Sequence, residues 1–418
     1  MILNYLNTEI RTDSSPEEFE SVKSELVAKG YSLVFNRYCE GNYFATLSGV
    51  DVKHLVYSRD AILRITTDKN TLLPNFEIQN TTPLVEPCMW LFETNHIYID
   101  CGMCIILRLS DGTYFLVDSA HYLSVGDCDR IHDFLKAHTP LDKIIIRGWY
   151  FSHAHSDHIC QFMSFLNRNF TDTTIEGLYY NFPDYSRHPN KSDWDDDEID
   201  VANEFFDFVP KFNIPTYTLH SGQVFYIGNI KIDVLCTHED VYPLSMEDFN
   251  DTSTAIMLTV EGSKIFIPGD CSRKSSAVLE TRWDKNIECD VLQVAHHGHT
   301  GLTLNLYEKT KGKIALFANT RIKHDEEYPR RIENRRIISQ ANEYYVSSEG
   351  SVEIPLPYRQ GFVRVLPDET TENFVAIEHL WGYTYTDEFK QAVYKKFLDN
   401  GGISDRIKFD TVENIRKL

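Results

Sequence analysis

The feature of the sequence that most limits its fold is a group of metal-ligand residues directly after an apolar run. Residues 144–151, IIIRGWYF, are typical of a buried strand, and His153, His155, Asp157 and His158 follow within SHAHSDH. Alternate residues of a strand share a face, so the first two histidines are expected to point the same way, with the other two ligands on the turn beyond. Imidazole and carboxylate donors suit Zn²⁺, and they also accept Mn²⁺ or Fe²⁺. The spacing therefore predicts one pair of ligands for one metal and the next pair for its neighbour.

Length and composition are those of an ordinary globular protein. A chain of 418 residues can bury a large core, and 42% hydrophobic with 25% charged residues is a usual balance. The formal net charge of −21 disfavours nucleic acid and membrane surfaces as partners, without excluding nucleic acid. An acidic substrate stays open, because a bound metal can reverse the local field.

The cysteines and the N-terminus indicate the compartment. Nine cysteines are scattered along the chain, and only Cys101 and Cys104 form a CxxC pair, inside an apolar run. Such a pattern favours reduced thiols over a disulfide framework. The first fifteen residues lack the features of a signal peptide, and no apolar stretch is long enough to span a membrane. We expect a cytoplasmic protein without membrane association, and the sequence does not indicate its oligomeric state.

Three regions are predicted along the chain. Residues 1–87 are expected to form a small α+β appendage, with a helix that Ser15 caps and Gly30 ends. Residues 88–365 are expected to form the catalytic domain, because strands and hairpins alternate with helices there. Residues 366–418 are expected to be a C-terminal extension with an amphipathic helix, DEFKQAVYKKFLDNGG.

The HxHxDH pattern resembles the metallo-β-lactamase-fold metallo-hydrolase superfamily, and later positions agree with it. FLVDSA supplies Asp118, which the resemblance implies orients a ligand histidine, although Ala120 stands where a glycine is usual. IFIPGD offers Asp270 as the carboxylate that bridges two metals. VLQVAHHGH offers His296 or His297 as the last ligand, and we favour the second because glycine follows it. The fold implied is α/β, a four-layer αββα sandwich.

A narrower likeness comes from the ND-S…GD…HHG arrangement. Asn250, Asp251 and Ser253, with the later aspartate and histidines, are similar to the hydrolase domain of competence DNA-uptake channels and to phosphorylcholine-esterase-type enzymes. One position departs from the superfamily, because Asn250-Asp251 stands where an intermediate histidine is common. Asp251 is one candidate to complete the site of the first two histidines, and His238 is another.

The resemblance implies a hydrolase with two divalent metal ions, zinc first and manganese or iron as alternatives. A metal-bound hydroxide would attack the substrate, with Asp157 holding the water and Asp270 bridging the ions. The expected substrate is a small phosphodiester, phosphomonoester or related ester. Alternatives are a lactonase or thioesterase, and a non-catalytic metal-binding or sensing protein of the same fold. Tyr180, Asn181 and Tyr185 are candidates for the rim of the pocket.

Overall fold

The structure is a computed structural model that describes residues 1–69, 72–79, 82–96, 99–185, 196–242, 246 and 249–368. The predicted C-terminal helix lies outside the described residues. The N-terminal elements are β1 (Ile2–Tyr5), β2 (Thr8–Arg11), α1 (Pro16–Ala28), β3 (Ser32–Cys39), β4 (Asn42–Ser48), β5 (Val52–Ser58) and β6 (Ile62–Asp68). They form an antiparallel sheet with the order β1-β2-β6-β5-β4-β3.

The predicted N-terminal helix is confirmed. The Ser15 hydroxyl accepts a hydrogen bond from the Glu18 backbone N–H at 3.3 Å, and Pro16 occupies the first turn. Phe19 and Val22 of α1 are buried against apolar residues of the sheet. The helix therefore covers one face of the N-terminal sheet.

The rest of the described chain builds two further sheets. The first contains β7 (Cys88–Leu91), β8 (Ile105–Arg108), β9 (Tyr114–Val117), β10 (Ile144–Tyr150), β11 (Thr173–Ile175), β12 (Leu178–Tyr180), β13 (Thr216–Thr218), β21 (Ser351–Pro355) and β22 (Arg364–Leu366). The second contains β14 (Val224–Ile227), β15 (Ile230–Cys236), β16 (Ala255–Val260), β17 (Ser263–Ile267), β18 (Val291–Gln293), β19 (Ile314–Phe317) and β20 (Glu343–Val346). The accompanying helices are α2 (Asp127–His138), α3 (Ser156–Arg168), α4 (Asp196–Phe208), α5 (His238–Val241), α6 (Arg273–Trp283), α7 (Leu304–Thr310), α8 (Arg321–Glu327) and α9 (Ile332–Gln340).

Strand order and hairpins follow the sequence patterns. The first sheet runs β13-β12-β10-β9-β8-β7-β21-β22, with β11 also paired to β10, and the second runs in chain order from β14 to β20. The three antiparallel pairs β8–β9, β14–β15 and β16–β17 are the hairpins expected from CIILRLSDGTYFLVDSA, VFYIGNIKIDVLCT and TAIMLTVEGSKIFIPGD. These hairpin predictions are confirmed.

The two large sheets form the middle of a four-layer αββα sandwich, as predicted. One apolar core lies between them, with Leu107 and Phe115 from the first sheet and Ile232 and Leu258 from the second. Helices α2, α3 and α4 cover the outer face of the first sheet. Helices α6, α7 and α9 cover the outer face of the second sheet. No helix among the described residues combines the length and the apolar character needed to cross a membrane.

The N-terminal sheet packs on the second sheet and its helices. The rings of Phe44 and Trp283 stack with centroids 5.5 Å apart and planes 3° apart. The Arg64 guanidinium donates to the backbone carbonyls of Asp240 and Tyr242 at 2.9 and 2.8 Å. Apolar and polar contacts thus join the N-terminal sheet to the sandwich.

Candidate metal centre

The predicted ligands follow two pairs of neighbouring strands, one pair in each large sheet. Asp118 follows β9, and residues 151–158 follow its parallel neighbour β10 in the first sheet. Asp270 follows β17, and His297 follows β18, a parallel pair in the second sheet. The carboxyl ends of these strands therefore bring both halves of the sandwich to one site, a position at which α/β proteins commonly bind ligands.

His153 and His155 meet, although they do not share a strand. The expectation of a common strand face is wrong, because β10 ends at Tyr150 and both residues lie in the connection to α3. His153 Nε2 and His155 Nδ1 lie 2.9 Å apart. His153 Nδ1 contacts the Ser152 hydroxyl at 3.0 Å, so its Nε2 is the nitrogen turned towards the second imidazole.

Four further donor groups converge beside this pair: Asp157, His158, Asp270 and His297. The His158 Nε2 atom lies 3.2 Å from His297 Nε2, 3.3 Å from Asp270 Oδ2 and 3.6 Å from Asp157 Oδ1. The His297 Nε2 atom lies 2.9 Å from Asp157 Oδ2 and 3.3 Å from Asp270 Oδ2. Two imidazole nitrogens and two carboxylates thus face one point in the interior.

Hydrogen bonds on the far side of each ring assign the tautomers. His158 Nδ1 donates to Asp118 Oδ2 at 2.7 Å, and His297 Nδ1 donates to the Ala318 carbonyl at 2.8 Å. In the neutral rings both Nε2 atoms therefore carry lone pairs, and neither can donate to the other. Asp118 is itself held by the Ser152 N–H and hydroxyl, both at 2.8 Å. A carboxylate that orients an imidazole in this way is typical of metal sites.

The spacing of the four donors fits a small cation. Ligands about 2.0–2.1 Å from a tetrahedral zinc ion lie roughly 3.3–3.4 Å from one another. Most separations among His158, His297 and the Asp270 Oδ2 atom are close to that value. The second oxygen of Asp270, Oδ1, is buried and accepts no hydrogen bond from the described residues. Buried carboxylate oxygens need a partner, and a cation would supply one.

The electrostatics of the four groups favour positive charge between them. Burial opposes charge on His297, but Asp270 and Asp157 outweigh it and raise its pKa to about 10. At His158 burial is again the largest single effect, but Asp157, Asp270 and Asp118 together outweigh it and raise the pKa well above its usual value. The two aspartates respond in reverse, since the imidazoles overcome burial and hold both carboxyl pKa values well below normal. A divalent ion would satisfy the same field.

The His153–His155 pair is neutral but has fewer donors. Burial lowers the pKa of His155 to about 4, and burial together with His158 lowers that of His153 well below its usual value. Neutral imidazoles are the form that binds metal. Among the described residues, no group of three or more histidine, cysteine or acidic donors includes either of these two histidines. The pair is therefore a two-donor half-site beside a four-donor site.

The structure does not bring Asp251 or His238 to these donors. The Asp251 carboxylate accepts from the Ser272 hydroxyl at 2.5 Å and lies 2.9 Å from the Lys274 ammonium. His238 Nε2 donates to the side-chain oxygen of Asn181 at 2.9 Å. Both candidates for the missing ligand are engaged elsewhere.

The two adjacent histidines point in different directions. His297 faces the carboxylates, whereas His296 Nδ1 lies 2.9 Å from the Thr300 carbonyl. Both have left-handed backbone conformations, with φ of 51° and 53°. Such conformations are costly for residues other than glycine and are often found at functional sites. This backbone turns one imidazole inwards and leaves the other outside the four-donor group.

One residue that helps to position the site could not have been identified from the sequence. Glu198 accepts hydrogen bonds from the N–H and hydroxyl of Ser156, at 2.7 and 2.8 Å. It thereby caps α3, whose first turn carries Asp157 and His158. The two partners are 42 positions apart, so no local pattern could have paired them.

The candidates for the rim of the pocket lie in different places. Tyr185 stacks on Phe249 at 4.0 Å, and Phe249 stacks on His155 at 5.4 Å between ring centroids. Asn181 lies instead against His238. Of the candidates, Tyr185 therefore belongs to an aromatic wall beside the two-donor half-site.

Comparisons with known proteins give a likeness of fold. No protein-family model matches the chain, and no curated protein matches it. Similar solved structures include the metallo-β-lactamase-fold protein YhfI of Bacillus subtilis, with 13% identity and a TM-score of 0.39 over 67% of this chain and 99% of that one. The short form of human tRNase Z has 11% identity and a TM-score of 0.36 over 68% of this chain and 100% of that one. Zinc-bound PqqB of Methylobacterium extorquens has 12% identity and a TM-score of 0.30 over 46% and 59%. None of these likenesses carries an activity over to this chain.

Proposed function

We propose that the protein is a metal-dependent hydrolase of phosphoesters, either phosphodiesters or phosphomonoesters. The observation that carries this proposal is the convergence of Asp157, His158, Asp270 and His297 at 2.9 to 3.6 Å. These residues would hold one divalent ion, and His153 and His155 would help to hold a second. Zinc suits the imidazole and carboxylate donors best, and manganese or iron remains chemically suitable.

The residues of the site would have two roles, which are to bind metal and to position the attacking water. Bound ions of this kind supply a water of lowered pKa and compensate charge on the leaving oxygen. The Asp157 Oδ2 atom lies 2.9 Å from His297 Nε2, and the Asp157 Oδ1 atom lies 3.6 Å from His158 Nε2. That second oxygen can accept a hydrogen bond from an attacking water. Asp118 fixes the His158 ring, so the donor geometry is preorganised.

Two considerations support the phosphoester class. The ND-S…GD…HHG arrangement resembles the competence-channel and phosphorylcholine-esterase branch. A site able to hold two cations also suits a substrate that gains negative charge on two oxygens during displacement. The proposed substrate is a small molecule. We also propose a cytoplasmic location, which the scattered cysteines led us to expect.

Metal content and hydrolysis measured together test this function. Protein purified without chelator is expected to contain one to two equivalents of zinc, manganese or iron at this centre. It is also expected to hydrolyse activated phosphodiesters or phosphomonoesters faster than lactones or thioesters in a matched panel. Preference for a lactone or thioester would favour that class instead. Full metal content without hydrolysis of any member would indicate a non-catalytic metal-binding protein.

The unequal donor sets predict unequal affinities for two ions. Four donors surround one position, whereas His153 and His155 alone lie beside the other. Titration with a chelator is therefore expected to remove metal in two phases, with the ion at the half-site leaving first. Loss of two equivalents in a single phase would show that another residue completes the half-site.

A further inference from the structure

A second group of donors lies away from the candidate metal centre, where the N-terminal sheet meets the sandwich. His54 of β5, Asp68 of β6 and His220, between β13 and β14, each place one ligand atom within 4.8 Å of the others. Both histidines are buried, with 5% of the surface of His54 and 2% of that of His220 exposed. Residues from two sheets thus enclose one small polar site.

His220 is placed between two carboxylates in the way that His158 is. Its Nδ1 lies 3.2 Å from Glu239 Oε1, and its Nε2 lies 3.4 Å from Asp68 Oδ2. The matching distances at His158 are 2.7 Å to Asp118 and 3.3 Å to Asp270. His220 Nε2 donates a hydrogen bond to Asp68, so an ion at this position would replace the Nε2 proton between two atoms that lie at about the separation of two ligands on one ion.

Charge at this junction also leaves room for a cation. Asp68 and Glu239 are both anionic partners of His220. Arg282, which donates to the neighbouring Ser221 hydroxyl, also forms an ion pair with Asp240 at 2.6 Å. Arg64 also lies by Asp240, so three carboxylates face two guanidinium groups, and a divalent ion or a proton on His220 would supply the further positive charge.

We propose that His54, Asp68 and His220 form a second site for a divalent ion of the zinc class, independent of the catalytic proposal. Glu239 holds His220 from the opposite edge of its ring, and His54 Nδ1 lies 3.2 Å from the Thr46 hydroxyl. The ion fastens the N-terminal sheet to the sandwich, because two of its ligands come from that sheet and one from the sandwich.

The two imidazole rings are stacked, with centroids 3.6 Å apart and planes 17° apart. An imidazole donates its lone pair in the plane of its ring, so ion binding must open this stack. A proton on His220 is the competing occupant, since a protonated ring can stack on a neutral one without moving. The two occupants therefore differ in metal content and in the effect of added zinc on thermal stability.

The test uses the full chain and measures zinc per chain and the melting temperature with zinc or with chelator. Asp68→Asn is nearly isosteric and is expected to lose about one equivalent of zinc and the zinc-dependent rise in melting temperature. His54→Gln is measured in parallel, in case the first variant does not fold. His132→Gln removes a histidine that contacts Asp172 at 2.8 Å on the helical side, and it is expected to match the parent.

A variant of the catalytic centre, Asp157→Asn with His297→Gln, separates this proposal from the proposed function. It is expected to keep the ion held by His54, Asp68 and His220. Adding Asp68→Asn to this variant should then remove that ion. Zinc content equal to the parent in folded Asp68→Asn or His54→Gln would overturn the junction site and leave the proton as its occupant. Zinc unchanged by the catalytic-centre variant would count against the proposed function alone.

Discussion

An Asp270→Asn variant is expected to hydrolyse an activated phosphodiester at least about a hundredfold more slowly than the parent. The Asp270 Oδ2 atom lies 3.3 Å from both His158 Nε2 and His297 Nε2, and its Oδ1 atom is buried without a hydrogen-bond partner among the described residues. Asparagine keeps the shape of the side chain but removes the negative charge that would stabilise bound cations. A hundredfold loss corresponds to about 2.7 kcal/mol of transition-state stabilisation.

The matched control is Asp251→Asn, which makes the same chemical change outside the four-donor group. Asp251 is engaged by Lys274 and Ser272, so its replacement is expected to change the rate by no more than a few fold. Circular dichroism and melting temperature establish that both variants are folded. If Asp270→Asn retained full metal and the parental rate, the bridging role would be wrong.

Local patterns in the sequence were sufficient to predict several helices and hairpins. The capped helix at Ser15 and the three hairpins depend on neighbouring residues, and the structure confirms them. The αββα sandwich was expected from the resemblance that the HxHxDH pattern carries, and the structure confirms it. Asp118, Asp270 and the His296–His297 pair were identifiable because their short motifs resemble those of the superfamily, and each lies in the connection that follows a strand.

Contacts between distant parts of the chain could not be predicted in the same way. Glu198 caps the helix that carries Asp157, but only the folded chain brings α4 to the start of α3. The sequence also left Asp251 and His238 open as ligands, because their partners come from other loops. The packing of the N-terminal sheet, which was expected to be an appendage, likewise depends on tertiary contacts.

Replacing each of the two adjacent histidines in turn tests which of them is a metal ligand. His297→Gln is expected to weaken metal binding at the four-donor site at least about a hundredfold, because loss of even an outer partner of a ligand costs roughly 10- to 100-fold. Hydrolysis should fall with the metal. His296→Gln is expected to keep most of both, since its Nδ1 atom contacts the Thr300 carbonyl rather than the carboxylates.

The pair controls for backbone effects, because both residues have φ close to 50° and each variant places glutamine in a left-handed conformation. Any cost of that conformation is therefore shared, and only the direction of the lost imidazole differs. Zinc per chain, chelator titration and the rate on an activated phosphodiester are measured for both variants. Greater loss of metal in His296→Gln than in His297→Gln would show that His296 is the ligand, and would exclude the donor set of Asp157, His158, Asp270 and His297.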